Sequence, residues 1–184
     1  MADLTTIERL RSYLGAEYVT RDDALLQTLI SAASAFFIQE VGREIALTSY
    51  TDTVDGGGGT TLNLRASPVT EVTSVTVNGE TIPERTTWDG QGWTLKGDQV
   101  RLVGYTFAVG LDNVVVEYTA GWATVPDDIQ GAVCELAILK RNERDRLGVF
   151  SRSVPGAETT SYQVISIPVG IQRVIDHYRL PVVG

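Results

Sequence analysis

The chain has 184 residues, of which 43% are hydrophobic and 21% charged, as is typical of a globular protein with a sizeable core. Its formal net charge of -8 argues against attraction to the phosphate backbone of nucleic acids. We find no apolar run approaching the roughly 20 residues that span a bilayer and no signal peptide at the N-terminus, so we expect assembly in the cytoplasm and no membrane partner.

Two amphipathic helices are predicted before residue 46. The first, Leu4–Leu14, has apolar residues on one face, and Thr5 with Glu8 fits a capping box. The second, Asp23–Val41, has apolar residues at three- and four-residue intervals and ends at Gly42. The first helix is too short to be stable alone, so we expect it to pack against other elements.

A β-rich region follows from Thr48. Threonine and valine dominate it, and four dipeptides typical of hairpin turns recur: Asp55-Gly56, Asn78-Gly79, Asp89-Gly90 and Gly97-Asp98. The predicted strands are Ser49–Val54, Thr60–Leu64, Val72–Val77, Arg85–Trp88, Thr94–Leu95, Gln99–Val103 and Asn113–Tyr118. The four glycines at 56–59 are interpreted as a flexible hairpin tip, because a strand follows them where a phosphate loop needs Lys-Ser/Thr and a helix.

The chain returns to helical patterns after residue 122. Pro126 followed by two acids marks the start of a third helix, which becomes polar on all sides from Lys140. A loop of about a dozen residues, Gly148–Tyr162, is longer than compact domains usually need, which is typical of loops that bind a partner. A short strand, Tyr162–Ile167, and a last helix after Pro168 complete the chain.

These elements predict an α+β fold. A small bundle of about four helices is expected from residues 1–46 and 122–184, and an antiparallel β-rich module, residues 47–121, is expected as an insertion between helices 2 and 3.

No catalytic or metal-binding constellation is found in the sequence. Because the chain has a single histidine, His177, a multi-histidine metal site is excluded, and we expect this residue at the surface. The only cysteine, Cys134, lies in an apolar helix and is expected to be a buried filler. The acidic pairs at 22–23 and 127–128 stand where helix N-termini favour negative charge. We therefore expect a protein that is not an enzyme and has no cofactor.

The three tryptophans leave an alternative open. Trp88, Trp93 and Trp122 lie in or beside the β-rich region, where isolated tryptophans usually belong to a core or an interface. An exposed set of such rings would instead stack on sugars or bases. The alternative function is therefore a carbohydrate- or surface-binding module carried by the β insertion.

Several short motifs follow one another in a distinctive order. Thr20-Arg-Asp-Asp-Ala-Leu-Leu begins the second helix, Val116-Glu-Tyr-Thr-Ala-Gly-Trp ends the β region, and Val125-Pro-Asp-Asp-Ile-Gln-Gly-Ala begins the third helix. A Ser- and Gly-rich segment up to Ser161-Tyr and a last helix ending in His177-Tyr-Arg follow. In this order the motifs resemble the head–tail connector (adaptor, or head-completion) proteins of long-tailed bacteriophages.

The resemblance implies a structural part of the virion neck. Proteins of that family form rings, commonly of twelve subunits, which dock on the portal protein, extend the DNA channel without binding DNA specifically, and present a surface to the next neck or tail-completion protein. For this chain we expect partner or subunit contacts after the third helix begins to be exposed, at Arg144, Arg146, Phe150, Arg152, Pro155, Glu158, Tyr162, Tyr178 and Arg179.

Overall fold

The computed structural model describes residues 2–14, 23–144, 151–152, 160–161 and 167–179. These residues form four helices and nine strands: α1 (Ile7–Leu14), α2 (Asp23–Val41), β1 (Thr48–Gly56), β2 (Thr61–Asn63), β3 (Val69–Val77), β4 (Glu80–Ile82), β5 (Gly92–Lys96), β6 (Gln99–Val103), β7 (Gly110–Ala120), α3 (Asp127–Arg144), β8 (Ser151–Arg152), β9 (Thr160–Ser161) and α4 (Val169–Tyr178). The strand-rich segment between α2 and α3 confirms the predicted α+β fold.

The chain divides into two compact units. Met1–Arg43 and Val125–Gly184 form the first, here called the helical unit, and Glu44–Thr124 forms the second, here called the β unit. The domains proposed from the sequence, 1–46 with 122–184 and 47–121, stay a prediction about segments that fold independently.

The core of the helical unit lies mainly between α2 and α3, and α1 and α4 each pack against both of these helices. Each helix contributes the apolar face that its sequence period predicts, as expected for amphipathic helices. The buried core residues are Leu4, Leu10, Leu26, Ile30, Ala33, Phe37, Ile38, Val41, Ile129, Ala132, Val133, Cys134, Leu136, Ala137, Ile171 and Ile175.

The start of α1 differs from the predicted capping box. The helix begins at Ile7, and the hydroxyl of Thr6 accepts a hydrogen bond from the backbone amide of Arg9 at 3.3 Å, so Thr6 is the N-cap. The predicted cap, Thr5, is 6% exposed, and its hydroxyl lies 3.4 Å from the sulfur of Cys134. The prediction was one residue off because Thr5 is used in a contact with a distant helix.

The central helix α2 begins at Asp23 and ends before Gly42, as predicted. Gly42 has a φ of 76°, and its amide donates to the carbonyl of Ile38 at 2.9 Å, an arrangement that favours glycine after a helix. By length and composition α2 is apolar enough to cross a membrane, which corrects our statement that the chain has no such run. Its buried face packs against α3, so a position in a protein core accounts for the apolar composition.

The β unit consists of two antiparallel sheets. One has the strand order β1-β7-β3-β4, and the other has the order β2-β6-β5. The long strand β7 pairs with β1 and β3, with Tyr118 opposite Tyr50 on one side and opposite Val72 on the other. The two sheets share one buried cluster: Leu64, Val72, Val75, Val77, Ile82, Trp93, Val100, Leu102, Phe107, Val114, Val116, Tyr118 and Ala120.

Two of the predicted turns are hairpins. Asn78 and Gly79 connect β3 to β4 with φ values of 53° and 79°, the positive values that a type I′ turn requires. Gly97 and Asp98 connect β5 to β6, and Lys96 at the end of β5 lies opposite Gln99 at the start of β6. The strands predicted within the β-rich region overlap observed strands, with one exception.

The exception is Arg85–Trp88, which is not a strand. Within this stretch the chain turns, and the amide of Gly90 donates to the carbonyl of Thr87 at 3.1 Å. The pairing with β3 is made instead by Glu80–Ile82, directly after the Asn78-Gly79 turn. A turn signal overrode the β propensity of the threonines and the tryptophan.

The glycines at 56–59 do not form a hairpin tip either. β1 pairs with β7 and β2 pairs with β6, so the segment connects two different sheets. It is held to the chain before β7, because the amide of Gly58 donates to the Phe107 carbonyl at 2.6 Å and the amide of Phe107 donates to the Gly59 carbonyl at 2.8 Å.

The predicted loop Gly148–Tyr162 contains a short antiparallel pair. Ser151 lies opposite Ser161, and Arg152 lies opposite Thr160, so the segment is not a loop throughout. The strand predicted at Tyr162–Ile167 lies outside the described residues except for its last one. The last helix begins after Pro168, as predicted, and buries Ile171 and Ile175.

Candidate assembly surfaces

Tyr178 and Arg179, two of the predicted contact residues, lie at the C-terminal end of α4. The Tyr178 hydroxyl is 3.1 and 3.0 Å from the two carboxylate oxygens of Asp128, at the start of α3. Arg179 donates from Nε to the backbone carbonyl of Glu40 at 2.9 Å, and its guanidinium also pairs with the Glu40 carboxylate at 3.2 Å. Both side chains therefore connect α4 to the rest of the helical unit, and their contact with another protein stays a prediction.

Burial raises the pKa of Tyr178 above its ordinary value, and the hydrogen bond to Asp128 raises it further. The hydroxyl therefore keeps its proton at neutral pH and remains a donor to that carboxylate.

The other predicted contact residues are described incompletely or not at all. Arg144 is the last residue of α3, and Arg152 lies in β8. The remaining five lie outside the described residues: Arg146, Phe150, Pro155, Glu158 and Tyr162. Tyr178 and Arg179 are therefore the predicted contact residues whose side-chain bonds the structure describes.

The acidic side chains at the start of α3 also bind side chains of other helices. Arg9 on α1 donates to the Asp127 carboxylate at 2.7 Å and to the side-chain carbonyl of Gln130 at 3.3 Å. The hydrogen bond to Asp127 is the largest cause that raises the pKa of Arg9. Sequence reasoning missed Arg9 as a partner, because the two residues are 118 positions apart.

A groove of about 320 Å³ runs over the helical unit between α1, α3 and α4. The groove is lined by Gly131 and Gly170, which have no side chains to fill it, and by the apolar residues Ile171 and Val174. Tyr13 also lines it and is 47% exposed. Shape and apolar lining make this groove a candidate contact surface.

In the β unit, a single asparagine holds several loop ends together. The Asn113 side chain accepts from the amide of Gly56 at 2.8 Å, and it donates to the Asn78 side chain at 2.9 Å and to the Ala108 carbonyl at 2.8 Å. A Cβ on Gly56 would overlap the Ala108 carbonyl oxygen, so glycine is required at this close approach. The sequence offered no signal for this role.

The tip beside Asn113 exposes two aliphatic side chains. Val109 and Leu111 are 82% and 84% exposed and stand on either side of Gly110. The preceding residue, Ala108, lines an open groove of about 550 Å³ together with Ile82, Tyr105 and others. A rigid loop that presents apolar residues next to a groove has the geometry of a docking surface.

The three tryptophans do not form one exposed face. Trp93 is 6% exposed and belongs to the buried cluster of the β unit, whereas Trp88 is 87% exposed. Trp122 is half-buried, and its backbone bonds with Ile45 and Leu47. Stacking of a sugar across all three rings, the basis of the carbohydrate-binding alternative, is therefore not supported by their positions.

Within the described residues, no group of three or more histidine, cysteine, aspartate or glutamate side chains could hold a metal ion. Cys134 is fully buried, as predicted, and burial raises the pKa of its thiol. His177 is exposed, as predicted, with its ring 4.9 Å from that of Tyr178.

Comparison with known proteins identifies the family. Solved structures of GTA (gene transfer agent) particles share the fold. A chain in the neck of a native particle, computed with C12 symmetry, has a TM-score of 0.63 and 19% sequence identity to this chain. A chain in the neck of an empty particle, computed with C6 symmetry, has a TM-score of 0.65 and 20% sequence identity. In each case the match covers 98% of this chain and 92% of the other. No curated protein matches the sequence. The family model described as "Head completion protein" matches residues 3–180, and the chain therefore belongs to the head completion protein family.

Proposed function

We propose that this chain is a structural, non-enzymatic protein of the virion neck in a tailed phage or phage-like particle. Membership of the head completion family over residues 3–180 is the observation that carries this function. The fold shared with chains from GTA necks supports the same place in the particle.

In this role the subunits form a ring that docks on the portal protein and extends the DNA channel. We propose twelve copies, a number that is compatible with both the C12 and the C6 symmetry of the necks that contain the similar chains, because six divides twelve. The net charge of -8 suits a channel through which DNA slides without specific binding, since negative walls repel a polyanion.

The test of the neck function uses a phage or particle that encodes this protein. Deletion of the gene is expected to give DNA-filled heads without tails in electron micrographs, and expression of the protein from a plasmid is expected to restore tails. Normal tailed particles from the deletion strain would refute the function. Symmetry analysis of necks imaged by cryo-electron microscopy counts the subunits.

Within the ring we propose that Gly148–Tyr162, together with the end of α3, contacts the portal or a neighbouring subunit, and that the last neck or tail-completion protein binds on another surface. Replacement of 149–161 by a short Gly-Ser linker is expected to leave the α-helical circular dichroism unchanged and to prevent incorporation into particles. A control replaces Trp88 by Ser, because this exposed side chain lies in the other unit. Incorporation of the linker variant at the normal level would show that the segment is not the contact.

A further inference from the structure

The tip of the β unit carries a surface that its own fold does not explain. Val109 and Leu111 are 82% and 84% exposed, so neither side chain contributes appreciably to the buried cluster of this unit. Single exposed apolar residues are common on protein surfaces. Here two of them flank Gly110 and follow Ala108, which lines the groove of about 550 Å³. We call the tip patch the set Tyr105, Val109, Leu111, Glu80 and Asp112.

The backbone under the tip patch is held in place by hydrogen bonds. Asn113 bonds to Ala108 and Gly56, the 107 segment bonds to the glycines at 58 and 59, and the amide of Asp112 donates to the Asp55 carboxylate at 2.7 Å. Because the loop is already fixed, a partner that binds it loses little conformational entropy of this chain. These hydrogen bonds therefore hold the backbone that carries the two aliphatic side chains.

The charge around the tip patch selects the kind of partner. The β unit contains ten acidic and four basic residues, and no ion pair is found between residues of this unit, all of which the structure describes. Glu80 lines the groove, and Asp112 follows Leu111. Such a surface repels nucleic acid and anionic lipid, and a second copy of a chain with a net charge of -8 complements it less well than a basic partner does.

We propose that the tip patch docks a different protein, one that presents an apolar pocket rimmed by lysine or arginine to receive Val109 and Leu111. This proposal rests on the neck function proposed above, and the partner is therefore another protein of the same particle. Apolar side chains that enter a pocket supply most of the affinity of such contacts, whereas the charged rim sets the rate and the specificity of association.

The experiment places a photoreactive benzoylphenylalanine at position 111 of the full chain and irradiates purified particles. The expected product is a cross-link to a different virion protein, at a peptide that contains lysine or arginine. A control at position 88 replaces Trp88, which is 87% exposed and outside the tip patch, and is expected to give at least tenfold less of that product. A cross-link to a second copy of the chain, to DNA, or to no protein overturns the proposal.

A double variant, V109S with L111S, tests whether the contact matters for assembly. The unfolding midpoint of the β unit is expected to be unchanged, because both side chains are exposed, and the variant is expected to enter particles at the normal copy number. The yield of tailed particles is expected to fall at least tenfold, and E80Q with D112N is expected to reduce it further at low salt and less at high salt, because salt screens the rim charges. A normal yield, or loss of self-assembly by the purified variant, overturns the proposal; absence of the wild-type protein from particles would instead refute the neck function.

Discussion

The helical unit and the β unit are stabilised by different kinds of polar contact. In the helical unit, charged side chains connect helices that are distant in sequence, as in the pairs Arg9–Asp127 and Arg179–Glu40, and both pairs are open to solvent. Among the residues of the β unit, all of them described, no ion pair is found, and polar side chains bind backbone amides instead.

Three residues show the pattern of the β unit. Asn113 binds the amide of Gly56, Asp98 accepts from the amide of Val69 at 2.8 Å, and the Tyr118 hydroxyl accepts from the amide of Ala66 at 3.1 Å. Exposed ion pairs contribute little to stability, whereas loss of a partner for a partly buried amide costs more. Polar substitutions should therefore affect the β unit more than the helical unit, and core substitutions should affect the unit that contains them.

The largest effect is expected for Phe37→Ala, which empties a fully buried position on α2. We expect a loss of about 3–5 kcal/mol in the free energy of unfolding of the helical unit. All three tryptophans lie in the β unit, so circular dichroism at 222 nm follows the helices while tryptophan fluorescence follows the β unit.

If the two units are independent domains, as we propose, only the circular dichroism transition of the Phe37→Ala variant moves to lower urea concentration. The control is Phe36→Ala, because Phe36 is half-buried with the Lys140 ammonium 5.4 Å from its ring centre, and a smaller loss is expected. Equal shifts of both transitions would show that the units unfold as one.

The next largest effect is expected for Asn113→Ala, which removes three hydrogen bonds from the tip of the β unit. A typical hydrogen bond contributes on the order of 1 kcal/mol and an unsatisfied amide costs more, so we expect a loss of about 3 kcal/mol. Urea unfolding followed by tryptophan fluorescence measures it. Asn63→Ala is the matched control, since Asn63 is exposed at the end of β2, and a change below about 0.5 kcal/mol is expected there.

Phe37 and Asn113 also show which structural roles can be predicted from the sequence. Phe37 lies on the apolar face that is predicted for the helix Asp23–Val41, because apolar spacing is a local property of the chain. The role of Asn113 depends on Gly56 and Asn78, which are 57 and 35 residues away, so no local pattern reports it. The cap of α1 was misplaced for the same reason, since Thr5 contacts Cys134 from 129 positions away.

The candidate surfaces follow the same division. Tyr178 and Arg179 were predicted from their place near the end of the chain, but their intramolecular bonds to Asp128 and Glu40 depend on how the helices pack. The exposed tip had a weak local signal, because Val109 and Leu111 flank a glycine directly before a predicted strand. Sheet pairing alone decides that these apolar residues face solvent.

A moderate effect is expected when Tyr118 loses its proton or its hydroxyl. Burial is the main cause that raises the pKa of Tyr118 to about 12, and the Asp52 carboxylate, 2.9 Å from the hydroxyl, raises it as well. Because the folded-state pKa lies above the unfolded value, the stabilisation is fully present below about pH 10 and is lost as the pH rises towards the folded value.

We therefore expect the fluorescence-detected urea midpoint to be flat from pH 7 to about 9.5 and to fall above pH 10. Tyr118→Phe is expected to lower stability at pH 7 by about 1–2 kcal/mol, since Ala66 and Asp52 lose a partner, and to flatten the fall at high pH. An equally steep alkaline fall in this variant would assign the titration to another group, such as Tyr50, whose pKa is also raised.

The smallest effect is expected for Arg9→Gln in the helical unit. The Arg9 side chain is 31% exposed and its partner Asp127 is 86% exposed, so water screens most of the attraction between them. Exposed pairs contribute about 0.2–1 kcal/mol, and glutamine retains some hydrogen bonding, so the loss should be about 0.5 kcal/mol and should vanish in 1 M salt. Arg173→Gln is the matched control, because Arg173 is exposed on α4 and outside every ion pair of the described residues. A loss from Arg9→Gln as large as that from Asn113→Ala would mean that charged contacts stabilise the helical unit as strongly as side-chain-to-backbone bonds stabilise the β unit.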